Sequence, residues 1–286
     1  MGSVFFTDTD CEMWYTDAEE LKMNIIGMPY TINGQESVYD FGKNTDIEAF
    51  YKEMRSGKVA TTAALNVQDY IDYFEPVFES GQDILYVHFS SNLSCTFDSM
   101  NKAVEMLKEK YPERKFTAFD TKNISVGAGI QAIEACKLHN SGASDDEVVE
   151  FLTAFREKIG IYFYVESLQY LRRGGRISAV SNFMGSLLNL KPILTVTSEG
   201  KLEKMTVVKG KKKAADFLFD KFNKEYINDD KYDVYILDAS NKEVGDELAE
   251  RFRTSGKNVS IKRYPVGPVI GAHAGPGTVG CIFVKA

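Results

Sequence analysis

The sequence predicts an α/β protein of two domains, the first built on a doubly wound parallel sheet. Two observations carry this. Short β-branched and aromatic runs alternate with longer amphipathic stretches that open on capping residues, the pattern of strand–helix–strand units. A chain of 286 residues is also long enough for two hydrophobic cores. Its 44% hydrophobic and 26% charged residues are ordinary for a globular protein.

The first strand is Val4–Asp10, ending in acidic residues. Carboxyl ends of strands are where open α/β sheets bind ligands, so Asp8 is either a site residue or, more simply, a cap and loop brace. Met23–Ile32 reads as a second strand. Thr45–Arg55 reads as a helix with Thr45 as cap, Glu48 completing a capping box and Gly57 just past its end. Thr61 and Thr62 precede the amphipathic stretch Val67–Phe78. There they either cap a helix or offer hydroxyls to an anion near its positive end.

Asp83–Phe89 is a strand of aromatic and β-branched residues that leads through Ser90-Ser91-Asn92-Leu93-Ser94-Cys95-Thr96 into the helix Phe97–Tyr111. Strand, hydroxyl-rich turn and helix in that order make an oxyanion or phosphate cradle from helix amides and serine side chains. The glycine fingerprint of a nucleotide loop is missing. His88, mid-strand, reads as a packed residue. The strand Phe116–Thr121, a small-residue helix Gly127–His139 and the helix Ser144–Ile159, with Ser144 and Glu147 as a capping box, complete the first domain, residues 1–160.

The second domain, residues 161–286, opens with the strand Ile161–Val165. Arg172, Arg173 and Arg176 surround Gly174-Gly175; their forked donors suit a carboxylate or phosphate, and a solvated charged turn is the alternative. Phe183–Leu194 is nearly uncharged and reads as core or as the lining of an apolar pocket. Ile193–Thr197 and Leu202–Val208 suggest a hairpin through Ser198-Glu199-Gly200. A helix Lys212–Asn228, a strand Tyr232–Asp238, a helix Lys242–Ser255 and a strand Val259–Tyr264 follow. Gly267–Gly280 then places five glycines and two prolines around His273, one of only three histidines. It reads as a rigid loop that fixes His273 and leaves amides, those of Gly271 and Ala272 among them, facing a ligand. A turn alone needs one or two glycines and no histidine. A strand, Gly280–Val284, ends the chain.

A net charge of −7 argues against a general nucleic-acid binder. No apolar run approaches the ~20 residues of a membrane span, and no signal-peptide pattern opens the chain, so a cytoplasmic protein with at most transient membrane contact is expected. Cys11, Cys95, Cys136 and Cys281 have no metal-ligand spacing and read as reduced thiols, with no metal implied.

With these segments in hand the chain resembles the DegV family over essentially its whole length. Ser90–Thr96 is similar to the family's Ser-Ser-x-Leu-Ser-Gly-Thr, with Cys95 in the glycine's place. Gly267–Gly277 is close to the family's most distinctive signature, and Asp8 matches the aspartate closing its first strand. Thr62-Ala63-Ala64-Leu65-Asn66 departs from the usual Thr-Ser-Gln-Pro-Ser and keeps only the threonine. The resemblance implies two α/β domains, the second with a mixed sheet, and a long-chain fatty acid buried with its carboxylate at their junction. Thr62, Ser94 and His273 would hold the carboxylate. Thr61, Ser91, Asn92, Arg173, Arg176, Gly271 and Ala272 would contribute more weakly to the head group or a partner contact. The protein itself would be non-catalytic and without a cofactor, presenting the carboxylate to a separate ATP-dependent fatty acid kinase subunit that makes the acyl phosphate.

The physics agrees with that division of labour. About 14 buried methylenes at ~0.8 kcal/mol each give on the order of 11 kcal/mol before association costs. A carboxylate drawn in behind them loses hydration unless donors replace it. Two alternatives stand beside this expectation. One is an acyl hydrolase with Ser94 as nucleophile and His273 as base, although no acid is identifiable to orient the histidine and no Gly-x-Ser-x-Gly elbow is present. The other is a carrier or sensor of a different apolar anion.

Overall fold

The opening hydrophobic run forms β1 (Val4–Asp8), followed by α1 (Tyr15–Glu20) and β2 (Asn24–Ile26) in a computed structural model that describes residues 2–176 and 189–286. The strand expected over Met23–Ile32 is in fact two. After Ile26 the Met28 N–H turns to the Thr9 hydroxyl at 2.9 Å, and Pro29 has no N–H to offer the ladder. The chain resumes as β3 (Pro29–Ile32) in another sheet, pairing antiparallel with β4 (Gln35–Val38). The Asn33-Gly34 turn between them, at φ of 53° and 75°, has the positive φ at both positions that a tight hairpin needs.

α2 (Ile47–Arg55) starts one residue later than expected. Its cap is Asp46, which accepts from the Ala49 N–H, while the Thr45 hydroxyl donates to Asp40. β5 (Ala60–Thr62) completes a three-stranded sheet ordered β4-β3-β5. The threonine pair therefore lies on a strand and caps nothing; Asn66, in a capping box with Asp69, caps α3 (Val67–Glu79). β6 (Ile84–His88), α4 (Thr96–Lys110) and β7 (Phe116–Asp120) extend an all-parallel sheet ordered β2-β1-β6-β7. α5 (Val126–Asn140) and α6 (Asp145–Arg156) follow, the latter with the expected Ser144–Glu147 capping box.

β8 (Ile159–Tyr164) begins a mixed sheet. The rest of the chain supplies α7 (Gln169–Arg173), β9 (Leu190–Val196), β10 (Leu202–Lys209), α8 (Lys211–Glu225) and β11 (Val234–Asp238). α9 (Lys242–Arg253), β12 (Ile261–Pro265), α10 (Pro268–Ala274) and β13 (Val279–Val284) complete it. The six strands run β10-β9-β8-β13-β11-β12, and only β11 and β12 pair in parallel. The α/β class, the parallel first sheet, the mixed second sheet and the β9–β10 hairpin all match expectation. Of the uncharged stretch Phe183–Leu194, the part up to residue 188 lies outside the described residues, and Leu190 onward is β9.

Alternation along the strands of the mixed sheet divides its faces. Tyr162, Tyr164, Ile236, Cys281 and Phe283 pack with Phe222 of α8 and Phe252 of α9. Ile161, Phe163, Leu237 and Ile282 point the other way and join the core of the N-terminal half. The site lies on that inward face. No helix among the described residues is long and apolar enough to cross a membrane.

Candidate functional site

The His273 stretch is not the open loop that its glycines suggest. Pro268 fits the first helical position, and Pro268–Ala274 winds into α10. The Gly271 N–H is bound to Gly267 O at 2.8 Å, so it does not face a ligand, and neither Gly271 nor Ala272 lines the cavity described below. What Gly271 provides is room: a Cβ there would stand 2.3 Å from the Tyr51 hydroxyl, which itself donates to Val266 O. The small residues let the helix press against tyrosines, and that fixes the direction of His273.

His273 Nε2 lies 2.9 Å from Thr62 Oγ1, in hydrogen-bond contact across 211 positions of sequence. Thr61, one residue earlier on β5, is exposed on the opposite side of the strand, as alternation requires. The far side of the imidazole rests on Gly174, where an added Cβ would come within 2.0 Å of Nδ1. His273 Nδ1 is buried without a hydrogen-bond partner among the described residues. Burial, helped by the nearby Arg176 charge, pulls the histidine pKa down to about 4, so the ring is neutral at physiological pH.

Ser94 reaches the same place from the β6–α4 turn. Its hydroxyl accepts from the Thr96 N–H at 3.3 Å beside the N-terminus of α4, where helix polarity favours an anion. The rest of that hydroxyl-rich turn serves the fold. Ser90 donates to Gly200 O and Asn92 to Glu199 O, tying down the β9–β10 hairpin, while Ser91 donates to Asp120. Arg176 also comes in: it donates to Leu93 O at 3.0 Å and to Gly174 O. Arg173 is exposed, over the Tyr170 ring at 5.8 Å, and stays outside.

Thr62, Ser94, His273 and Arg176 share the wall of a cavity of about 260 Å³ between the carboxyl ends of the parallel sheet and the inward face of the mixed sheet. The remaining wall is largely apolar, with Phe89, Ile124, Ile161, Phe163 and Ile282 among its members. Ala63 and Ala64 line it too, so the altered segment after Thr62 contributes methyl groups in place of polar ones. Leu93, Ser94, Cys95, Arg176 and Leu202 also border an exterior groove, which makes this end of the cavity its mouth.

Three acids stand at this side of the cavity, Asp10 in the wall and Asp8 and Glu12 behind it. Asp8 accepts from the Asp10 and Cys11 N–H groups, the Tyr86 hydroxyl and the Phe89 N–H, so it braces the loop, as the simpler reading had it. Glu12 takes the Ser125 hydroxyl and the Gly267 N–H, and burial pushes its pKa up to about 8. Asp10 lines the cavity, with its pKa raised well above the carboxylate range by burial and by Asp8 and Glu12. Their spacing at 8, 10 and 12 was a legible signal that the reading of Asp8 alone missed. His88 is packed, on the Phe97 ring and against Phe89 O. Among the described residues no group of three or more His, Cys, Asp or Glu could hold a metal ion.

A family model for uncharacterised proteins of the DegV family matches residues 5–286. The chain belongs to the DegV family. A DegV domain-containing protein of Clostridium perfringens is 33% identical over 281 residues, 98% of this chain and 97% of that one. Two solved structures share the fold end to end. One is a fatty-acid-binding DegV family protein from Thermus thermophilus, with a TM-score of 0.86 and 26% identity, covering all of both chains. The other is a Thermotoga maritima protein whose structure reveals fatty acid binding, with a TM-score of 0.82 and 27% identity over 99% of both. The Streptococcus pneumoniae fatty acid kinase B3 protein loaded with linoleic acid, at 21% identity and a TM-score of 0.81 over all of both chains, shares the DegV fold.

Proposed function

We propose that this DegV protein binds a long-chain fatty acid, with its tail in the apolar cavity and its carboxylate at Thr62, Ser94 and His273. One observation carries the reading: the hydrogen-bonded Thr62–His273 pair and Ser94 share the wall of an otherwise largely apolar cavity. When the neutral imidazole donates Nε2–H to Thr62 Oγ1, the threonine proton is free for a carboxylate oxygen; Ser94 donates a second hydrogen bond. Fatty acid binding by the Thermus and Thermotoga relatives supports the same ligand class.

The protein then acts as a carrier, presenting the head group to an ATP-dependent kinase subunit that forms the acyl phosphate. The exterior groove at the mouth, with Arg176 and Lys201 on its walls, gives a phosphoryl donor a route to the carboxylate. Four unpaired cysteines, three of them buried, fit a reducing cytoplasm. Mass spectrometry of gently denatured protein is expected to release a fatty acid. Repeated absence of any acyl species, together with no uptake of added acid, sinks the proposal.

The hydrolase alternative finds less support. No hydrogen bond joins Ser94 to His273 among the described residues, and no carboxylate contacts Nδ1, which faces Gly174 instead. Turnover of acyl esters that disappears in Ser94→Ala is the result that would restore it.

A further inference from the structure

Asp10 is a polar residue of the cavity wall, outside the proposed carboxylate site, with a side-chain oxygen left unmatched among the described residues. Its side chain is 6% exposed and lines the cavity, and its Oδ1 has no hydrogen-bond partner among the described residues. Buried oxygens in native folds are nearly always paired, and one left against hydrocarbon loses its hydration without return. The Asp10 backbone N–H ties the turn to Asp8, no hydrogen bond among the described residues occupies Oδ1, and the residue borders the ligand space.

The surroundings restrict what can complement it. Asp8 and Glu12 stand close enough to act on Asp10 electrostatically, so a second anion is disfavoured there. The Arg176 guanidinium donates to Leu93 O and Gly174 O and makes no hydrogen bond to Asp10 among the described residues. A plain alkyl chain has nothing to offer. A hydroxyl donates to a carboxylate and accepts from a carboxylic acid, and so matches Asp10 in either protonation state. We propose that the cavity takes an apolar acid whose chain bears a hydroxyl group, with Asp10 as the hydroxyl's hydrogen-bond partner. This rests on the acyl-carrier reading and narrows its substrate class.

The test uses the delipidated full chain and calorimetric titration with palmitic acid and its monohydroxylated isomers, substituted near the carboxyl, in mid-chain and near the methyl end. At least one isomer is expected to bind about tenfold more tightly than palmitate, the worth of one matched buried hydrogen bond. In Asp10→Ala that ratio is expected to fall to about one. A wild-type ratio of one or less for every isomer overturns the proposal, and this arm needs no variant to fold. A preference that survives in Asp10→Ala overturns it as well. Failure of palmitate and all isomers to bind the wild type is a distinct result: it removes the acyl-carrier reading and this inference with it.

Discussion

Thr62 and His273 are the residue pair on which the proposed carboxylate binding would turn. Each is supported from behind, the threonine by its place at the end of β5 and the histidine by Gly174 and the tyrosine-packed helix α10. Replacing Ser94 by alanine removes one donor from the proposed carboxylate, and replacing His273 removes the group that turns the Thr62 hydroxyl toward it. The expected loss in fatty acid affinity is roughly 1–3 kcal/mol for each, read by calorimetry; unchanged affinity in both variants removes them from the site. Glu12 gives a pH-dependent prediction. Its folded pKa of about 8 lies above the ordinary carboxyl value of 4.5, so between these values the folded state holds a proton that the unfolded state releases. That contribution to stability is full below pH 4.5 and is lost as pH rises through 8. Glu12→Gln is therefore expected to gain on the wild type by roughly 2–4 kcal/mol between pH 5 and pH 8 in denaturant titrations. A difference independent of pH would show that the carboxyl is already ionised in the fold.

Among the elements, α7 and α10 set the site through contact with each other. α7 ends at Gly174, and the absence of a side chain there makes the seat for the imidazole. Gly174→Ala would place a methyl group about where Nδ1 now sits and push the ring off Thr62. Because Gly174 has an ordinary negative φ, the backbone tolerates alanine, and the cost falls on the histidine. The expected outcome is a tenfold or greater loss of fatty acid affinity with a melting temperature close to wild type. Retained affinity would mean the ring finds Thr62 from another rotamer. The β6–α4 turn behaves differently. Ser90 and Asn92 bind the β9–β10 hairpin and Ser91 binds Asp120, so the turn ties the hairpin to the first sheet while Ser94, of its hydroxyl residues, lines the cavity.

For the whole molecule, the two sheets share one buried cluster: residues of β1, β6 and α5 pack in the same group as Ile161, Phe163, Leu237 and Ile282 of the mixed sheet. We propose that segments 1–160 and 161–286, though each carries its own sheet, unfold as one unit, because the apolar surface between them is common to both. One cooperative transition is expected in calorimetry. Fatty acid at a hundredfold excess over its dissociation constant should raise stability by about 2.7 kcal/mol, since the ligand binds only the folded form. Two separate transitions, with only one of them responding to the acid, would place the cavity within a single half.

Local features of the chain were legible because they are written in neighbouring residues. The parallel βα units, the Ser144–Glu147 capping box and the Ser198–Gly200 hairpin all follow from periodicity and turn chemistry. The DegV motifs likewise singled out Thr62, Ser94 and His273 as the residues to examine. The sequence by itself thus determined the fold class and a short list of side chains. Only the tertiary structure decided which of them meet. Ser91 and Asn92 look as available as Ser94 until Asp120 and the hairpin arrive to claim them, and the glycines around His273 suggest free amides until three tyrosines, Tyr39, Tyr51 and Tyr170, are found packed against them. The spacing of the acids at 8, 10 and 12 was legible, but that Asp10 among them borders the cavity was decided by the fold. A side chain's partners depend on contacts between segments hundreds of residues apart, and no local pattern encodes those.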